Sequence, residues 1–295
     1  MADNLMLLNV PAFIAVVAIY LIASYLSTRR WQLLISSDIS TKKLFHLYML
    51  GSFFNTCLPG IIGGDAVKIF YLGKTLKTTA SRPVEGEADE DKATAPHTAH
   101  SLALASVFMD RYIGFAALLV IAATAFPFGL NEMKATPVKW VLPFIICSFV
   151  FMSLIIFKAR IGERFRFVYG IYEHLSLYRS RRKVLAPCFA YSLAIQFLGF
   201  ISVYILAKGL SIELTFLSIL VFLPIIIVVS FIPISISGLG LREGAFVFLF
   251  GFAGVSADKA VTLSLLWFIS TITAGLWGLV VYLRFKTLLG GEIKQ

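Results

Sequence analysis

The chain has 295 residues, 59% of them hydrophobic and 14% charged, and its mean hydropathy is +0.87. Soluble domains carry about a quarter charged residues, so this chain lacks the polar surface needed to cover a globule in water. Its net charge of +10 lies in short segments between apolar runs, which excludes a basic nucleic-acid-binding face and fits a positive-inside bias with attraction to anionic lipid head groups.

At about 20 apolar residues per crossing helix, the length supplies about seven membrane segments. The expected fold is all-α: a polytopic transmembrane helix bundle in which residues 1–295 form a single membrane domain. The first span runs from about Leu7 to Ser27, and Met1–Asn9 has no basic region of the kind a cleaved signal carries. It ends in Thr28-Arg29-Arg30-Trp31, read as interfacial basic residues followed by an interfacial aromatic. Lys42 and Lys43 precede a short apolar stretch, Leu44–Leu58, that runs into Pro59-Gly60-Ile61-Ile62-Gly63-Gly64-Asp65. Such a break is tolerated at membrane depth only inside protein or beside a watery cavity.

Residues Thr75–His100 are expected to form a flexible loop around the acidic run Glu85–Asp91. Its His97 and His100 fit a solvated loop better than a metal site. Spans follow at about Leu102–Phe126, Val138–Phe157, Val184–Ala207, Leu214–Ile232 and Ala260–Leu283. A second interrupted segment, Pro233 through Ser237-Gly238-Leu239-Gly240-Leu241-Arg242-Glu243-Gly244, leads into the short apolar run Ala245–Val255. Cys57, Cys147 and Cys188 lie in or beside apolar runs, an odd count with no CxxC pair, so buried inert thiols are expected and neither disulfides nor zinc.

Lysine and arginine set the orientation. The basic segment 158–183, with Lys158, Arg160, Arg164, Arg166, Arg179, Arg181, Arg182 and Lys183, is expected on the cytoplasmic side of a bacterial-type inner membrane. Counting back places the N-terminus outside and makes 44–62 a re-entrant hairpin. The Arg284 and Lys286 tail prefers the inside and requires 245–255 to cross, though the choice between re-entrant and spanning stays open for both stretches.

Three places put ionisable groups where lipid should be: Asp65 beside Gly63 and Gly64, Asp110-Arg111 inside a span, and Arg242-Glu243 beside Gly238 and Gly240. Charged groups at membrane depth are costly and normally face the bundle interior, where they pair and mark a substrate path. A plainer alternative keeps them at the cytoplasmic interface. Neighbours on a helix diverge by about 100°, so Asp110 and Arg111 must each meet a different element. The two Gly/Pro-interrupted segments resemble each other, a pattern that points to a transporter's binding site, and helix N-termini at the breaks suit an anion such as lipid phosphate. Asn55 is expected to cap or bond the broken helix, Gln196 to bond between helices, and His46 and His174 to be interfacial. No serine, cysteine or metal catalytic arrangement and no nucleotide-binding loop occurs in the sequence, and no cofactor is expected.

The stretch Phe53-Phe54-Asn55-Thr56-Cys57-Leu58-Pro59-Gly60-Ile61-Ile62-Gly63-Gly64-Asp65-Ala66-Val67-Lys68 resembles the FxNxxLPxxxGGDxxR signature of the lysylphosphatidylglycerol synthase transmembrane-region family, flippase-like membrane proteins. The resemblance continues through Arg30-Trp31, Ala105–Gly114 and Pro233–Gly244. It implies a lipid translocase that moves aminoacyl-phosphatidylglycerol or a related phospholipid between leaflets. Asn55, Gly63, Gly64, Asp65, Asp110, Arg111, Gly238, Gly240, Arg242 and Glu243 would be its substrate-binding residues. Family members commonly begin one helix earlier, and full-length synthases add a cytoplasmic aminoacyltransferase domain that this sequence lacks. Two other readings stand beside it: a membrane-embedded transferase with carboxylates as base and acid, and a non-catalytic partner of a separate lipid synthase.

Overall fold

Hydrocarbon offers a peptide group no hydrogen bond, so a chain this apolar must satisfy its backbone within helices. The computed structural model describes residues 9–35, 39–57, 62–80, 96–133, 137–158, 182–231 and 239–292, and among them it is all-helical. Nine α-helices are described: α1 (Val10–Ile35), α2 (Thr41–Cys57), α3 (Ile62–Ala80), α4 (Pro96–Met133), α5 (Val141–Lys158), α6 (Arg182–Gly209), α7 (Phe216–Ser230), α8 (Leu241–Gly251) and α9 (Ala257–Glu292). A short 3₁₀ turn, Pro137–Trp140, leads into α5.

By length and composition, four helices can cross a membrane, with apolar spans at Val10–Ile35, Ala99–Gly129, Lys183–Gly209 and Ala257–Arg284. The stretches Val141–Ile156 and Phe216–Ser230 are apolar but shorter. Helix α7 is buried at every position from Val221 to Ile226, as a helix surrounded by others must be. Its Phe222 packs with Phe200, Phe246 and Phe250 in the largest apolar core. By contrast α5 exposes Phe144, Val150, Phe151 and Met152, a face suited to lipid. Cys147 on the same helix is exposed while Cys188 is buried, so the expectation of buried thiols fails for Cys147.

Several boundaries shift, each with consequences. Helix α1 does not end at Ser27 but continues to Ile35. That carries Arg30 and Trp31 into the interior, at 5% and 1% exposure, instead of leaving them at an interface. Leu33, Leu34 and Ile35 extend the apolar run past the arginines, and the helix follows them. Thr75–Ala80 and Pro96–His100 are helical ends of α3 and α4, not loop. Pro59, the acidic run Glu85–Asp91, His174 with most of the basic segment, and Pro233–Gly238 lie outside the described residues.

Helices α2 and α3 form an antiparallel hairpin. Asn55 Oδ1 accepts the Gly64 N–H at 2.9 Å, and four residues deeper Gly51 lies against Lys68. A Cβ built on Gly64 would collide with the Gly51 carbonyl and the Asn55 side chain, so glycine is what lets the two legs approach. Gly278 on α9 does the same against Met49 and Phe53, seating the hairpin on the last helix.

Gly64→Ala is therefore expected to destabilise the protein by about 1–3 kcal/mol, read as a lower thermal unfolding midpoint in detergent. Gly199→Ala, whose new methyl meets nothing within 4 Å, is expected to leave the midpoint unchanged or raised.

Candidate functional site

Five helices converge where α1, the α2–α3 hairpin, α4 and α6 meet. On α4, Asp110 lies 14 residues past the helix start at Pro96, about 21 Å along the axis, deeper than the sequence boundary implied. Asp110 and Arg111 meet different elements, as their angular separation requires. Asp110 Oδ1 accepts from Arg30 Nε of α1 at 2.7 Å, with both side chains 6% exposed. Arg30 Nη1 donates to Ser192 Oγ of α6 at 2.7 Å. A Cβ on Gly114 would stand 3.1 Å from Arg30 Nη1, so the bare glycine leaves room for the guanidinium against α4.

Arg111 turns to the hairpin. Its Nε and Nη2 donate to Asp65 Oδ2 and Oδ1, both at 2.9 Å, a bidentate fork of the strong kind. Lys68, one turn beyond Asp65, places Nζ 3.6 Å from the same Oδ1. It also stands over the Tyr48 ring, 3.8 Å from the centroid, and 5.9 Å from that of Trp31. Trp31 is fixed in turn by donating Nε1–H to Ser106 Oγ at 3.2 Å. Arg30 and Arg111 differ in access: the Arg111 side chain is 37% exposed.

That access opens into a cavity of about 590 Å³. Arg30, Asp110, Arg111 and Tyr48 form its charged side, while Phe108, Phe115, Phe149 and Phe231 line its apolar wall. Gln196 also lines it and donates to the Gly114 carbonyl at 2.9 Å, the interhelical bond its position suggested. A smaller cavity of about 180 Å³ shares Tyr20, Ile195, Gln196, Ile227 and Trp267 with it, extending the volume between α1, α6, α7 and α9.

A second cluster lies on α8 and α9. Arg242 Nη2 donates to Glu243 Oε1 at 2.6 Å, Arg242 Nε to Ser264 Oγ at 3.1 Å, and the guanidinium lies 4.4 Å from the Phe268 ring centroid. Glu243 Oε2 accepts the Gly240 N–H at 2.5 Å, where Gly240 supplies a φ of +87° that favours glycine. Neither Arg242 nor Glu243 is among the residues that line the large cavity. The Gly64 and Gly240 N–H groups are engaged by side chains of the chain itself, and Asp65 reaches the site through Arg111. Gly63 opens α3 beside Gly64, and Gly238 lies outside the described residues. Among the described residues no group of three or more His, Cys, Asp or Glu is placed to hold a metal.

Sequence reasoning missed Arg30, Lys68, Tyr48 and Ser192 as parts of this cluster. One signal existed for Arg30: Ser24, Ser27, Thr28, Trp31 and Leu34 recur at helical spacing and are buried together. That pattern marks a packed face running through the basic pair.

Removing one member of the buried pair strands the other. Asp110→Asn and Arg30→Met are each expected to cost about 3–5 kcal/mol, while the double variant Arg30→Met/Asp110→Leu costs less than their sum. Unfolding of the three variants in mixed micelles measures the coupling.

The family model described as the lysylphosphatidylglycerol synthase TM region matches residues 1–278. No curated protein and no solved structure matches the chain. Arg30, Asp65, Lys68, Asp110 and Arg111 meet in one ion-pair cluster beside a cavity between apolar helices, and with a match over nearly its whole length the chain belongs to the lysylphosphatidylglycerol synthase transmembrane-region family.

Proposed function

We propose that the chain is a lipid translocase that moves aminoacyl-phosphatidylglycerol or a related phospholipid between leaflets. One observation carries this reading: the large cavity puts a part-exposed arginine, already preorganised by Asp65, opposite an aromatic wall. A phospholipid needs that pairing, a fixed cation for its phosphate and an apolar surface for its glycerol and chains. Each arginine commits two nitrogens to side-chain partners, but the Arg111 side chain is 37% exposed and that of Arg30 only 6%, so Arg111 is the one a ligand reaches. In this reading Arg111 holds the phosphate and the Arg30–Asp110 pair fixes α1 to α4 behind it. With no nucleotide-binding motif in the sequence, movement would be passive or driven by a gradient.

A transferase reading needs a carboxylate free to take a proton, and both cavity-side carboxylates are committed to arginines, which favours transport. A non-catalytic membrane partner of a separate lipid synthase would co-purify with that enzyme and move no lipid alone. The basic segment 158–183 is assigned to the cytoplasmic side of the inner membrane by its lysines and arginines.

In liposomes carrying a chain-labelled phospholipid, Arg111→Ala is expected to slow transbilayer movement by about tenfold or more, the loss of one charge-assisted fork; a rate equal to wild type would sink the proposal. A cysteine at Ser180 in a cysteine-free background is expected to react with an impermeant maleimide in inverted membrane vesicles and not in intact cells.

A further inference from the structure

The smaller cavity differs from the large one in its lining. Among the described residues no charged side chain borders it, and its four hydroxyl or amide side chains have partners within the protein. Tyr20 shares a hydrogen bond with Ser52 Oγ at 2.9 Å, and Gln196 Nε2 donates to the Gly114 carbonyl at 2.9 Å. Ser202 donates to the Leu198 carbonyl at 2.8 Å and Thr271 to the Phe268 carbonyl at 2.7 Å. The rest of the lining is aliphatic or aromatic, with Leu223, Ile227 and Trp267 among it. An apolar cavity of about 150 Å³ accepts benzene, so a space of about 180 Å³ accepts a run of about six carbons. Gly199 leaves this space open on the α6 side. It shares the lining face of α6 with Ile195, Gln196 and Ser202, whereas Phe197 and Ile201, each about 200° away round the helix, are exposed. Glycine inside a helix weakens it relative to alanine, yet neither a left-handed backbone nor a close neighbour requires glycine at 199. A Cβ there would meet nothing within 4 Å.

We propose that the smaller cavity is the slot for one acyl chain of the phospholipid whose phosphate Arg111 holds, and that Gly199 keeps the slot open. The inference rests on the translocase reading for its ligand and adds where the chain goes. The two cavities meet along Tyr20, Ile195, Gln196, Ile227 and Trp267, so a molecule anchored at Arg111 passes a chain from one into the other without leaving the bundle. Lipid tails are as apolar as the slot, and the hydrophobic effect does not drive entry. What favours it is dispersion: an empty apolar space deprives its lining of contacts, and an alkyl chain restores them. A leucine at 199 would supply such contacts itself and leave the chain no room. The slot touches no head group, so it serves phosphatidylglycerol and its aminoacyl esters alike.

Chain placement is read separately from transport. The full chain in detergent is mixed with a phosphatidylglycerol that carries a diazirine on one acyl chain, irradiated, and the labelled residues are located by mass spectrometry. Label is expected on Leu223 and Thr271, which line the smaller cavity and not the larger. Gly199→Leu should cut that label by about fivefold or more, since the slot is then overfilled. Arg111→Ala should cut it as well, because the same molecule loses its head-group anchor. Wild-type label confined to the outward-facing Phe197 and Ile201 overturns the inference, and so does undiminished slot label in either variant. If Gly199→Leu does not fold, the wild-type pattern and Arg111→Ala still decide. Excess oleic acid should leave the label in place; displacement would reassign the slot to a free fatty acid and overturn the proposal. A chain labelled in the slot that moves no lipid in liposomes would keep this inference and overturn the translocase reading, and one that moves lipid with label only on the outward face would do the reverse.

Discussion

Taking a charge out of water costs several kcal/mol even after the protein relaxes around it, and the arrangement of this bundle follows from meeting that cost at one place. Arg30 and Asp110 are each nearly inaccessible and come from helices far apart in the chain. Their bond fixes the rotation of α1 against α4, because any other rotation would leave a guanidinium or a carboxylate facing hydrocarbon. Ser192 then ties α6 to the same arginine. Three of the four long apolar helices are thereby held in register by polar contacts that lipid cannot replace, which is how polar groups act as glue where no hydrophobic force sorts one helix from another.

The hairpin completes the arrangement by a different device. Gly51, Gly64 and Gly278 remove side chains where backbones must nearly touch, so α2 and α3 pack closely and lean on α9. That closeness brings Asp65 within reach of Arg111 and leaves Lys68 under the rings of Tyr48 and Trp31. The charged side of the cavity is thus assembled from α1, the hairpin and α4, while its aromatic wall comes from α4, α5 and the end of α7. The Arg242–Glu243 cluster has another character: it closes on itself through Gly240 and Ser264, and it reads as the anchor of a short helix to α9.

Much of this was legible in the residues. An apolar chain with charges confined to short segments has one solvent available to it and one way to satisfy its backbone, so the all-helical membrane bundle followed from composition. The divergence of Asp110 and Arg111, the bond from Asn55 across the hairpin and the interhelical role of Gln196 followed from helical geometry and the need of buried polar groups for partners. Interface rules misplaced Arg30, because an arginine pair next to a tryptophan satisfies the pattern of a membrane boundary as well as that of a buried site. The pattern cannot say whether the helix continues.

What the sequence determined by itself is therefore the solvent, the secondary structure and the inventory of charges that needed partners. Which charge met which was decided by tertiary structure alone, since ion pairing across helices depends on rotation and close approach, and both are set by the packing of whole helices. Asp65 and Asp110 are alike as residues; Asp110 borders the cavity beside Arg30, whereas Asp65 meets it only through Arg111, and only the fold distinguishes them. The same holds for the apparent repeat of two interrupted segments. Their residues look equivalent, yet one borders the cavity and the other closes on itself, because α1 and α4 stand beside the first while α7 and α9 pack against the helix of the second.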